Sequence, residues 1–283
     1  MKIVLLGTGG PRPDPKRNAS TTLIRLGGER NILFDAGRGV VNQLVRAGVP
    51  LDSVNPVFIT HHHFDHIGDL YDVALATWMY GRKNELRIYG PPETRRIIDA
   101  LLTQVYDKDR QWRSLGEPSL GGWKPVVAED VAPGLVIETT RWKVTADTVD
   151  HGNGLDLPLA FLKRWQCYGY RFEAESKIVA ISGDTIACDG IDRLAQGADV
   201  LVHCCYMGSA EIENDHFRRV MQYTLAGGDT VGKIASRAKV KTLVLTHHRP
   251  RKDDRMLDKL TEEIARDFSG RIIVGEDLSE IEL

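Results

Sequence analysis

Val57-Phe58-Ile59-Thr60-His61-His62-His63-Phe64-Asp65-His66 is the stretch on which the reading of this chain turns. The run Val57–Thr60 is β-branched and apolar, the composition of a short strand. Four potential metal ligands, His61, His63, Asp65 and His66, leave the end of that strand within six residues. If extended geometry persists, alternation puts His61, His63 and Asp65 on one side and His62 on the other, with His66 turning in behind. Imidazole and carboxylate bind borderline cations such as Zn²⁺ at about 2.0–2.2 Å. One tight turn can thus supply half the shells of two adjacent ions. The bland reading is a solvated histidine loop, or histidines capping a helix at Ile67. The order HxHxDH directly after an apolar strand favours the metal.

Further ligands come from three other strand ends. His151 follows Val144–Val149 and opens a glycine-rich turn, Asp184 follows Ile178–Ser182 in the run ISGDT, and His247 follows Leu243–Thr246. Singly, a histidine after a strand is a satisfied polar residue and an aspartate after glycine a turn former. Jointly they fill the coordination that the first motif leaves open.

The surrounding chain reads as an α/β or α+β protein. Strands are predicted at Met1–Leu6, Thr21–Arg25, Asn31–Phe34, Val57–Thr60, Leu86–Tyr89, Trp142–Thr148, Tyr168–Phe172, Lys177–Ser182, Val200–Val202, Thr242–Thr246 and Arg271–Val274. Helical periodicity marks Val40–Ala47, Leu70–Trp78, Pro92–Val105, Thr230–Ala238 and Arg255–Phe268. Ser114–Pro133 and His151–Pro158 read as loops, rich in glycine and proline. No composition shift marks a boundary, so residues 1–283 read as a single domain of sheets covered by helices.

Composition narrows the classes. Hydrophobic residues make 42% and charged residues 27%, ordinary for a globular chain, which argues against disorder. No apolar run approaches the roughly 18 residues of a membrane span. MKIVLLGTGG reads as a first strand, its apolar run being too short for a signal peptide. The four cysteines, Cys167, Cys188, Cys204 and Cys205, include no CxxC pair, and free thiols in a cytoplasmic protein are expected. A net charge of −2 gives no global case for nucleic acid.

Several runs, in order along nearly the whole chain, resemble the metallo-β-lactamase superfamily, and within it the ribonuclease Z-like branch. They are Leu6-Gly7-Thr8-Gly9-Gly10, Arg17 with Ser20, Phe34-Asp35-Ala36-Gly37, Thr60–His66, Tyr89-Gly90-Pro91-Pro92, Asp150-His151-Gly152, Tyr168-Gly169-Tyr170-Arg171, Gly183-Asp184-Thr185 and Leu245-Thr246-His247. The resemblance implies a four-layer αββα sandwich holding two divalent metal ions, Zn²⁺ first and Mn²⁺ or Fe²⁺ as alternatives. It implies His61, His63 and His151 on one ion, Asp65, His66 and His247 on the other, and Asp184 bridging. It also implies Asp35 as the acceptor that orients a ligand histidine. Asp65 and His203 are the candidate catalytic residues. His248 reads as a surface or helix-capping histidine.

A metal-bound hydroxide is available near neutral pH, which makes the protein a hydrolase without choosing the bond. Three departures from the transfer-RNA maturase matter. Where it carries His-Glu-Ala-Thr, this chain has His203-Cys204-Cys205-Tyr206, keeping the histidine and losing the carboxylate. Where it carries His-Ser-Thr, this chain has Tyr223-Thr224-Leu225-Ala226, with His216 lying upstream. No basic glycine/proline-rich arm is evident, since Ser114–Pro133 offers only Lys124 as a basic residue. Phe161, Leu162 and Trp165 read as an apolar wall behind His151, and Trp78, Trp112 and Trp123 as candidates for a pocket rim. Arg249–Arg255 is a local basic cluster beside His247. The leading expectation is a hydrolase of a small ester-like molecule: a carboxyl ester, lactone, sulfate ester or phosphodiester. The alternative is a ribonuclease Z acting on tRNA, and a second alternative is a non-catalytic metal or ligand sensor. The expected partners are a small-molecule substrate and a second copy in a homodimer, with no membrane, and with nucleic acid expected only in the tRNA alternative.

Overall fold

Apolar runs bounded by turn residues become fourteen strands among the described residues, arranged in two sheets of seven. The computed structural model describes residues 1–27, 30–251, 253 and 255–283. The chain divides into two compact units, each built round one sheet.

The first unit comprises Met1–Gly7, Asn18–Val131 and Asp277–Glu282. Its strands are β1 (Lys2–Gly7), β2 (Thr21–Leu26), β3 (Arg30–Phe34), β4 (Val54–Phe58), β5 (Leu86–Gly90), β6 (Val126–Asp130) and β14 (Glu280–Glu282), in the order β14-β1-β2-β3-β4-β5-β6. The pairs from β14 to β3 are antiparallel and those from β3 to β6 parallel. Helices α1 (Val40–Arg46) and α3 (Leu70–Met79) supply Leu44, Leu70 and Val73 to a core with Leu6, Leu23, Leu33 and Val57, all buried.

The second unit comprises Thr8–Arg17, Ala132–Glu276 and Leu283. Its strands are β7 (Gly134–Glu138), β8 (Trp142–Val149), β9 (Cys167–Ala174), β10 (Lys177–Ile181), β11 (Val200–Cys204), β12 (Thr242–Thr246) and β13 (Arg271–Val274), in the order β13-β12-β11-β10-β9-β8-β7. β8 and β10 are each antiparallel to β9, so they run the same way, and β10, β11 and β12 are parallel neighbours. The carboxyl ends of β8, β10, β11 and β12 therefore lie at one edge of the sheet. Parallel strands buried on both faces read as continuous apolar runs, as in TLVLT of β12. Leu201, Leu243, Val231, Ile234 and Leu260 fill this unit's core. Each such side chain contributes roughly 1.5–3 kcal/mol on burial.

The strand before the histidines stops at Phe58, two residues short of expectation, because Asp35 captures the Thr60 amide from the side. Ser114–Pro133 is not a loop throughout. It contains the end of α5 (Asp107–Gly116), a short turn at Pro118–Leu120 and β6. β6 is the edge strand, so its acidic residues stay in water and blur its apolar signal. α5 buries no residue, and α8 (Asp215–Tyr223) fully buries only Phe217, so neither writes an apolar stripe in the sequence. α7 (Asp189–Ala195) buries Ile191, Leu194 and Ala195 but spans only seven residues, and α6 (Leu159–Leu162) and the strands β7 and β14 are short and mostly exposed, so none was expected from the sequence. Among the described residues no helix is long and apolar enough to cross a membrane.

Candidate metal centre

In the first unit, the parallel ends of β3 and β4 bring Asp35 beside Thr60–His66. Asp35 accepts from the Thr60 amide at 2.7 Å and from the Thr60 hydroxyl at 2.9 Å. That hydroxyl, its proton committed to Asp35, lies 3.0 Å from His61 Nδ1 and accepts from it. Asp35 Oδ2 also lies 2.8 Å from His66 Nδ1. One carboxylate thus sets the tautomer of two histidines, leaving each Nε2 as the unprotonated nitrogen. His61 Nε2 faces His63 Nδ1 at 3.0 Å, and the His61 and His66 rings are 4.1 Å apart. Asp65 and His66 belong to the short helix α2 (Phe64–Ile67), with Asp65 Oδ2 3.6 Å from His66 Nε2. His62 turns the other way, 2.8 Å from the Thr94 hydroxyl. His61, Asp65 and His66 are buried and His63 is exposed.

In the second unit, Asp184 stands between two histidines. Its Oδ2 is 3.1 Å from His247 Nε2 and 3.8 Å from His151 Nε2. His151 donates from Nδ1 to the Thr224 carbonyl at 2.6 Å, so here too Nε2 is the nitrogen left for a ligand. The Trp165 indole donates to the His151 carbonyl at 2.8 Å, which ties the apolar insertion to the backbone of this residue. Gly10 supports His247, because a Cβ there would stand 2.8 Å from the imidazole ring. All three ligand candidates are buried. Buried imidazoles with fixed tautomers around a buried carboxylate suit a divalent cation, whose charge offsets the cost of burying the anion.

His203 is fully buried at the end of β11, its Nδ1 2.7 Å from the Cys204 carbonyl. Burial disfavours its cation and pushes its pKa down to about 4, against smaller upward effects of that hydrogen bond and of Asp184. It is a neutral imidazole near pH 7. Cys204, in place of the carboxylate, is a buried thiol that accepts from the Thr185 amide at 3.3 Å and donates to its carbonyl at 3.4 Å. Burial pushes this thiol well above its ordinary range. All four cysteines are free thiols.

His248 is a correction to the sequence reading. It is fully buried, its amide donating to the Thr8 carbonyl at 2.8 Å, and desolvation holds its pKa well below the usual histidine range. His216 is exposed on α8. Trp78 is core, donating to the Gly122 carbonyl at 2.8 Å, with Trp123 packed 5.0 Å away. Trp112 is exposed on α5, and Phe161 stacks on Trp165 at 5.7 Å. Of the basic cluster Arg249–Arg255, Lys252 and Asp254 lie outside the described residues.

The sequence reading missed two contributors. The Thr224 carbonyl acts through the main chain and leaves no side-chain signal. Gly10 was visible in the Gly7–Gly10 run, but its contact with His247 depends on a parallel bridge between Gly9 and His248.

A family model described as a Beta-lactamase superfamily domain matches residues 30–248. A ribonuclease Z of Mycobacterium bovis (strain BCG / Pasteur 1173P2) is 32% identical over 288 aligned residues, covering 100% of this chain and 98% of that protein. The metallo-beta-lactamase fold protein YhfI from Bacillus subtilis superposes with a TM-score of 0.73 at 21% identity, covering 99% of this chain and 98% of that one. Human tRNase Z, short form, gives a TM-score of 0.73 at 21% identity, with 100% and 99% covered. These two structural likenesses are likenesses of fold.

Proposed function

Because the chain belongs to the metallo-β-lactamase superfamily, in its ribonuclease Z-like branch, it is a metal-dependent hydrolase, and we propose that it cleaves a phosphodiester of RNA. The observation that carries this reading is the full-length identity to ribonuclease Z, taken with a histidine and aspartate set fit for two ions. We propose that residues 1–283 act as one catalytic domain, in the cytoplasm. In this reading His61, His63 and His151 would hold the first ion and Asp65, His66 and His247 the second, with Asp184 as the carboxylate that would serve both. Zn²⁺ is the first candidate for this donor set, ahead of Mn²⁺ and Fe²⁺. When bound, two such cations make water nucleophilic near neutral pH and polarise the phosphoryl oxygen.

The protein's own groups prepare that chemistry. Asp35 and the Thr224 carbonyl hold ligand rings at their Nδ1 atoms, so no reorientation is needed when substrate arrives. His203, neutral near pH 7, serves as a hydrogen-bonding group and not as a reservoir of positive charge. These roles, like that of Asp65, are part of the proposal.

A second reading is favoured by a different observation. The insertion after His151 presents Leu157, Leu159 and Phe161 to solvent, and Cys204 replaces the expected carboxylate. An apolar surface beside a hydrolytic centre suits a small ester-like substrate, the class that the sequence placed first. The test sets both readings against each other. A precursor tRNA with a 3′ extension is expected to be cut at one position, after the discriminator base. Cutting is expected to stop with a chelator and with Asp184→Ala. Turnover of a nitrophenyl ester, lactone or sulfate without that cut would establish the second reading.

A further inference from the structure

Two short segments of the second unit run side by side away from His247. A parallel bridge pairs Gly9 with His248, and Gly10 abuts the His247 ring. Two residues further along each segment stand Arg12 and Arg249. Their guanidinium carbons lie 5.9 and 4.3 Å from the centroid of the same ring, Phe217 of α8. That ring is 6% exposed. A cation over an aromatic face is held in place without neutralisation of its charge.

The neighbouring acids are spoken for or distant. Arg251 takes the Glu211 carboxylate at 2.8 and 2.9 Å, both side chains being buried. Arg17 turns inward, donating to the Thr8 hydroxyl and the Gly275 carbonyl, each at 2.6 Å. Asp14 accepts from the Lys16 amide at 2.9 Å. Among the described residues the nearest carboxylate to Arg249, whose side chain is only 14% exposed, is that of Glu213, at 3.7 Å and itself largely in water. Its guanidinium also donates to the Glu211 carbonyl at 3.4 Å. Among the described residues no carboxylate pairs with Arg12. A guanidinium so far withdrawn from water ordinarily takes a close carboxylate fork, as Arg251 does.

We infer that Arg12 and Arg249 recognise a second anionic group of the substrate, a phosphate flanking the one that is cleaved. The substrate class is thereby a nucleotide or polynucleotide with successive phosphates, not a singly charged or neutral ester. This rests on the phosphodiesterase reading above and deepens it. Arg249, stacked and mostly buried, is the fixed member. Arg12, exposed, closes over the ligand from the other segment.

The experiment compares thymidine 3′-phosphate 5′-(p-nitrophenyl phosphate), which carries a flanking phosphate, with bis(p-nitrophenyl) phosphate, which does not. The wild type is expected to prefer the first in kcat/KM. Arg249→Leu and Arg12→Leu are each expected to reduce that preference about tenfold, the size of one charge-assisted hydrogen bond. Arg249→Lys keeps charge without the planar fork and should fall between. Preferences equal in wild type and variants would overturn the inference. Because Arg12 is exposed, its substitution leaves the fold intact and keeps the test valid if Arg249→Leu is unstable. Should the wild type cleave neither substrate, the phosphodiesterase reading fails separately. Calorimetric binding of thymidine 3′,5′-bisphosphate to metal-free protein then decides the arginine pair. Weaker binding by both variants supports the pair, and unchanged binding overturns it.

Discussion

Asp35 and His247 both hold left-handed backbone conformations, with φ of 63° and 58°. For residues with a side chain this costs about 1–3 kcal/mol each, and their surroundings enforce it. Asp35 spends its two oxygens on the Thr60 amide, the Thr60 hydroxyl and His66 Nδ1. Asp35→Ala should therefore weaken metal binding by roughly 10–100-fold, the usual effect of losing a partner behind a ligand histidine. Asp35→Asn, which tolerates the left-handed region, should weaken it less. Calorimetric metal titration checks both, and wild-type affinity in Asp35→Ala would contradict the orienting role. His203 carries a pH prediction. In the unfolded chain it takes a proton below its ordinary pKa of 6.5, while in the fold it stays neutral down to about pH 4. Folding then requires releasing a proton, so stability falls as pH falls through that window, by on the order of 3 kcal/mol in full. Thermal unfolding of metal-free protein at pH 7 and pH 5 should show a smaller drop in His203→Gln than in wild type. Equal drops would mean that His203 does not contribute.

At the scale of elements, the site gathers at strand ends, the place where parallel sheets expose ligand-binding loops. β12 shows the division of labour: Leu243 and Leu245 are fully buried, and the next turn carries His247. Leu243→Ala should cost about 2–5 kcal/mol in urea unfolding of metal-free protein. A loss under 1 kcal/mol would show that the strand is not anchored as described. This architecture was legible in the sequence where burial wrote a pattern. The runs TLVLT and KIVAI became strands as expected, and Leu70–Met79 a helix, because buried faces demand continuous or periodic apolar residues. α5 and β6 were not legible because neither has a fully buried residue. His248 was misplaced for a related reason: its burial depends on the distant Thr8 carbonyl, which adjacent sequence cannot reveal. The histidines of 61–66 stood out because their chemistry is local, whereas the Thr224 carbonyl contact with His151 joins residues 73 positions apart.

On the scale of the whole molecule, a net charge of −2 offers no general attraction for a polyanion. Recognition of phosphates must then be local, which is what Arg12 and Arg249 over Phe217 supply. The ligand candidates are shared out: His61, His63, Asp65 and His66 in one unit, His151, Asp184 and His247 in the other. We propose that these seven residues together hold two ions in each chain. Elemental analysis of the purified, metal-saturated protein decides it. Two ions per chain are expected, falling to one or fewer in Asp184→Ala. A saturated wild type holding a single ion, or an Asp184→Ala variant that keeps two, would contradict it.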